Sequence, residues 1–208
     1  MKRLFLTFAI LGGLLLSSCS TVEEVCYSCD SEIDAWVKSN KTELNNMSRE
    51  DLSKLDIPHQ QAALRMFTPK RKKQLWTEKY NEVLHNNNFS KEELKHLLFV
   101  SNFIKTKDFS KTNTKEEDEI MFEWLKKSMD DFGWSKEFLY DSFFTYGVIK
   151  TPYKTDQNKK VNPGRDLSNC NCRWWCWGWW QSCYGGGCDE TNGGCGMIGS
   201  SDCTGDCS

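Results

Sequence analysis

The sequence predicts an all-α helical bundle of five or six helices followed by a small, irregular, disulfide-rich C-terminal module. Three observations predict it. Between residues 30 and 150 apolar side chains recur at helical intervals, with no alternating strand pattern. Two Ser/Thr-x-x-Glu capping boxes and a threonine–proline start punctuate that stretch. Eight cysteines then crowd into the 38 residues from Cys170 to Cys207.

The chain has 208 residues, and 27 Lys and Arg against 29 Asp and Glu give a net charge of −2. That balance offers no strongly basic face, so no nucleic-acid partner is expected. A mean hydropathy of −0.62 excludes a polytopic membrane protein. Five segments follow from composition: a signal peptide at 1–18, a tether at 19–29, a helical domain at 30–150, a linker at 151–168 and a Cys/Trp/Gly-rich module at 169–208.

Lys2 and Arg3 precede an uncharged, mainly apolar run from Leu4 to Leu16. A bilayer-spanning helix needs roughly 20 apolar residues, so this run is too short to span and fits the h-region of a secretory signal. Leu16-Ser17-Ser18-Cys19 resembles the lipobox of bacterial lipoproteins. The resemblance implies that Cys19 is acylated and begins the mature protein. This covalent lipid is the only prosthetic group expected; no metal and no other cofactor is. Two or more acyl chains hold a protein at a membrane stably, at roughly 0.8 kcal/mol per buried methylene. The expected location is the bacterial envelope, on the outer membrane, facing periplasm or exterior, where disulfides persist. Setting Cys19 aside leaves ten cysteines, an even number.

Cys26-Tyr27-Ser28-Cys29 has redox-motif spacing but lacks the strand–helix setting that motif requires. A small structural disulfide, or pairing of Cys26 and Cys29 with the tail, is expected. Thiol exchange and metal chemistry are the alternatives.

Ile33, Trp36, Val37 and Leu44 share one helical face. Thr68-Pro69 reads as an N-cap with proline at the first helical position, ahead of a stripe of Leu75, Trp76, Tyr80, Val83 and Leu84. Ser90 and Glu93 form a capping box before Leu94, Leu97, Leu98 and Ile104. Thr114 and Glu117 form a second before Ile120, Trp124 and Leu125. Gly133 breaks the chain, and Ser135 opens a last helix with Phe138, Leu139 and Phe143. About 120 residues suffice to bury one core.

Lys70-Arg71-Lys72-Lys73 fits a solvated helix face, with anionic lipid near the anchor as the alternative. The acidic run from Glu116 to Glu119 suits a first helical turn, where the helix dipole favours negative charge. His59, His85 and His96 form no His-Glu-x-x-His motif, and no phosphate loop or nucleophile elbow is present. No enzymatic activity is expected.

The stretch from Tyr153 to Leu167 is polar, and Lys159 and Lys160 mark it as a candidate cleavage point. Beyond it, Cys170, Cys172, Cys176, Cys183, Cys188, Cys195, Cys203 and Cys207 share the tail with nine glycines and almost no aliphatic residues, Met197 and Ile198 excepted. Such a segment cannot build an apolar core, and ordering it costs on the order of 1.5 kcal/mol per residue. Disulfides offset this by restricting the unfolded chain, roughly 3 kcal/mol for a 15-residue loop. Zinc fits less well: the tail has no histidine and no Cys-x-x-Cys knuckle. The 105 connectivities open to eight cysteines are not separated by the sequence.

Trp174, Trp175, Trp177, Trp179 and Trp180 cluster between Arg173 and Gln181. Indoles favour the water–membrane interface and protein-binding hot spots. They could instead dock on the helical domain. With Cys170-Asn171-Cys172 opening the segment, Gly194-Cys195-Gly196 late in it and eight cysteines in all, the tail resembles fulvocin C, and the chain resembles the bacteriocin fulvocin C-related proteins. The stretch from Pro69 to Tyr80 also looks like that family. The resemblance implies an N-terminal helical region followed by a disulfide-rich, bacteriocin-like peptide acting on membranes of competing cells. The tail departs from the family in its tryptophan block and in the short gap between Cys172 and Cys176. It is also anionic: residues 161–208 carry two arginines against five carboxylates, a net of −3. The functional expectation is an envelope lipoprotein with an antimicrobial module that contacts a target-cell membrane. The alternative is a non-toxic surface module using the same indoles on a protein or glycan component of the envelope.

Overall fold

The computed structural model describes residues 25–28, 30–85, 87–150, 152–154, 183–184, 191–203 and 206–207. The middle of the chain is all-α, with eight helices where five or six were expected: α1 (Ser31–Ser39), α2 (Lys41–Asn46), α3 (Arg49–Leu52), α4 (Ile57–Met66), α5 (Pro69–His85), α6 (Lys91–Thr106), α7 (Lys115–Asp130) and α8 (Lys136–Phe143). The extra helices arise because the chain turns at Asn40 and again at Met47. The Asn40 amide group donates to the Trp36 carbonyl at 2.8 Å, and its backbone N–H also turns back into α1. Met47 is extended and ends α2, and Ser48 caps α3. Neither site carries the Gly or Pro that usually marks a break.

Local capping follows the sequence closely. Both capping boxes are closed in both directions: Ser90 with Glu93, and Thr114 with Glu117. Thr68 Oγ1 accepts from the Arg71 N–H at 3.3 Å as α5 begins at Pro69. Gly133, at φ 65°, turns the chain between α7 and α8, and Ser135 caps α8.

The core gathers Leu75 and Trp76 of α5, Leu97 and Val100 of α6, Met121 and Leu125 of α7, and Phe138 and Leu139 of α8. Helix α5 packs on α6 and α8, and α1 packs on α4. Leu94, Leu98 and Ile120, expected inside, are exposed. The inward face of α6 runs through Glu93, Leu97, Val100 and Ile104, so Leu94 and Leu98 each lie one residue, about 100°, around the helix.

Glu93 is fully enclosed among polar partners. Its carboxylate accepts from the Trp134 indole N–H (2.9 Å), the Ser90 backbone N–H (2.8 Å) and the Lys154 ammonium (3.0 Å). Residues 152–154 thus lie on the bundle: Lys154 forms a β-bridge with Trp134, and the Tyr153 carbonyl accepts from the Ser135 N–H at 2.9 Å. On α5, the fully buried Lys79 donates to the Gly147 carbonyl. Arg49 pairs with Glu82 and donates to the Tyr146 carbonyl at 2.8 Å. These bonds fix the chain after α8.

His96 stacks on Trp124 with ring centroids 4.7 Å apart and planes 4° from parallel, and its Nε2 meets Ser128 Oγ at 2.9 Å. Burial holds its pKa below the ordinary 6.5, with the nearby Lys127 adding to the effect and the Trp124 carbonyl opposing it. The unfolded chain therefore binds a proton before the folded one does. Stability should be greatest above pH 6.5, fall as pH drops below it, and level off once the folded imidazole is charged. Thermal unfolding of wild type between pH 8 and 4 should show this fall, and the His96→Gln variant should show a shallower one.

Candidate functional site

The tail is not independent of the bundle. Its described backbone forms β1 (Cys183–Tyr184), β2 (Thr191–Cys195), the 3-10 turn Met197–Gly199, β3 (Ser201–Cys203) and β4 (Asp206–Cys207). Strand β2 pairs antiparallel with β3, aligning Thr191 with Cys203 and Cys195 with Ser201, and β2 lies against α4. Strand β1 pairs antiparallel with β4, placing Cys183 opposite Cys207.

The turn between β2 and β3 is the point of attachment. Met197 and Ile198 are 1% and 0% exposed and belong to the bundle's core. Each such burial is worth about 2 kcal/mol. The backbone bends to allow it. Gly196 and Gly199 have φ of 69° and 59°, and a Cβ at Gly196 would collide with the Ser201 side chain. Ile198 itself sits at φ 53°, ψ 24°. This left-handed conformation costs a β-branched residue about 1–2 kcal/mol, which full burial of its side chain offsets.

Polar bonds fix the same turn. The Asn113 N–H donates to the Ser200 carbonyl at 2.7 Å. Ser201 Oγ and Asn113 Nδ2 both donate to Asp118 Oδ1, at 2.7 and 2.9 Å. Asp118 is therefore more than a first-turn acid: it holds the tail to α7. The signal present in the sequence was the tail's lone adjacent aliphatics, Met197 and Ile198.

Beside the turn is a cavity of about 450 Å³, bounded by Arg65 at the end of α4, Phe67, Pro69 and Lys72 at the start of α5, the loop Phe109–Thr112, and Gly199 and Ser200 of the tail. Its charged lining residues are Arg65, Lys72 and Lys111, with no carboxylate among them. Arg65 donates to the Tyr27 carbonyl at 2.7 Å, and burial pushes its pKa down to about 10. Lys72 is buried, so the basic run is not the solvated face expected of it. Its neighbours are tied to backbone as well: Arg71 donates to the Met47 carbonyl in a part-buried bond, and Lys73 donates to the Lys105 carbonyl at the surface. The backbone of α5 begins against α6 and the chain after α2, which gives these long side chains carbonyls to reach.

No known protein family, curated protein or solved structure matches the chain.

Of the residues singled out by sequence, Cys26 is an exposed free thiol whose Sγ donates to the Ser28 carbonyl at 2.8 Å. The backbones of Cys183, Cys195, Cys203 and Cys207 lie in the strands given above. Cys19, Cys29, Cys170, Cys172, Cys176, Cys188, the five clustered tryptophans, Lys159 and Lys160 lie outside the described residues. Among the described residues no group of three or more His, Cys, Asp or Glu side chains could hold a metal ion. No helix among them is long and apolar enough to cross a membrane.

Proposed function

We propose that the chain is a lipid-anchored envelope protein whose helical bundle carries a bacteriocin-like, disulfide-rich module, and that this module acts by contact with a membrane while still attached. The observation that carries this reading is the docked turn. With Met197 and Ile198 in the core and Ser201 bonded to Asp118, cutting the linker at Lys159 and Lys160 would not by itself free the tail. Anchoring at Cys19 and attachment at the turn together favour presentation over release. The register of β1 and β4 supports the cross-linked character of the module. Directly opposed residues of an antiparallel pair have Cα atoms about 4.5–5.5 Å apart, within the span of a disulfide. On this reading Trp174, Trp175, Trp177, Trp179 and Trp180 supply the contact, since indoles partition to the bilayer interface.

The test uses the full oxidised chain carrying Cys19→Ser, so that no acyl group contributes. It should bind vesicles of phosphatidylethanolamine and phosphatidylglycerol and release entrapped dye. Alanine at the five tryptophans should abolish both. Absence of binding and of leakage at micromolar protein would overturn the membrane reading. Tryptophan-dependent retention of one envelope protein or glycan, with vesicles ignored, would instead establish the surface-binding alternative.

A further inference from the structure

We propose that the cavity between the start of α5, the loop Phe109–Thr112 and the docked turn binds a small amphipathic oxyanion: a carboxylate or phosphate group on a short apolar body. Its volume of about 450 Å³ lies within the range of small-molecule sites. The lining divides chemically. Phe67, Pro69 and Phe109 offer an apolar wall, while Lys72 and Arg65 supply positive charge.

Lys72 carries the argument. It is more than nine-tenths buried and lines the cavity, whose lining residues include no carboxylate. Buried charges in proteins are ordinarily paired. Here the strongest charge acting on Lys72 is another cation, Arg65, so burial and repulsion both push its pKa down. An oxyanion in the cavity would reverse both effects: it pairs with the ammonium, shields it from the guanidinium and replaces lost hydration with charge-assisted hydrogen bonds. Arg65, held by the Tyr27 carbonyl, is fixed in place and adds positive potential. Gly199 and Ser200 close the site from the tail side, so occupancy depends on the docked turn.

The experiment is a calorimetric titration of the full oxidised chain with octanoate and, separately, with octylamine. Octanoate should bind with a single site and octylamine should not. Lys72→Met keeps the side-chain length and removes the charge; it should weaken octanoate at least about tenfold. Lys70→Met, on the exposed start of α5, should leave affinity unchanged. Fold integrity of Lys72→Met is checked by its thermal unfolding, and Lys72→Arg should recover part of the affinity. Equal binding of octanoate and octylamine, undiminished octanoate binding by Lys72→Met, or no octanoate binding at millimolar concentration would overturn the assignment.

Discussion

Alanine in place of Ile198 should lower stability by about 3 kcal/mol, and the Met197→Ala/Ile198→Ala pair should detach the tail from the bundle. Large-to-small changes at fully buried aliphatics cost about 2–5 kcal/mol. Alanine recovers part of the left-handed backbone penalty, which places Ile198→Ala near the lower part of that range. A loss of about 3 kcal/mol corresponds to roughly 6–12 °C in melting temperature for a chain of this size. The double variant has a ceiling. Once the turn has left its groove, the helices melt as they would without it, so the second substitution adds less than the first. Thermal unfolding of the two single variants and the double variant measures this non-additivity. Equal, additive losses would mean that the turn and the helices unfold together.

Alanine at Glu93 should be comparably costly. The change removes one acceptor from three donors: the Trp134 indole, the Ser90 backbone N–H and the Lys154 ammonium. Breaking such a buried arrangement costs about 3 kcal/mol or more, because the indole N–H is left without a partner. The near-ultraviolet circular dichroism of the tryptophans should weaken with it. The same carboxylate sets acid stability. Burial alone would raise its pKa, but its hydrogen bonds from Trp134, Ser90 and Lys154 prevail and hold it at about 2. A folded pKa below the unfolded value gives stability that is complete above about pH 4.5 and lost as pH falls toward 2. Denaturant titrations between pH 6 and 2 should show that loss in wild type, and Glu93→Gln should flatten it while lowering stability at neutral pH.

What could be read from sequence was local. A capping box is a contact between residues three apart, so Ser90–Glu93 and Thr114–Glu117 are legible without knowing the fold. The second role of Glu93, accepting from Trp134 forty-one residues away, is not. Periodicity identified α6 and α7 but not which way each stripe turns, because Leu94 and Leu98 satisfy helical spacing as well as Leu97 does. Charge patterning failed at Lys72 for a related reason: nothing in four consecutive basic residues tells which one the neighbouring loop will cover. At the tail, cysteine density drew attention to cross-links, while the attachment rests on the only two aliphatic residues in the segment. Asp118 was legible as an acid in a first turn, but its bond to Ser201 spans eighty-three residues and has no local signature.

Amide hydrogen exchange of the full oxidised chain, read on peptides covering residues 196–201 and on the Asn113 amide, tests the docked turn directly. If Met197 and Ile198 are core residues, the Asn113 N–H that donates to Ser200 should exchange as slowly as the inner turns of α5, and should lose protection in Ile198→Ala. Exchange of the Asn113 amide at the rate of an unstructured peptide in the wild-type protein would contradict the attachment, and with it the view that the tail works while held on the bundle.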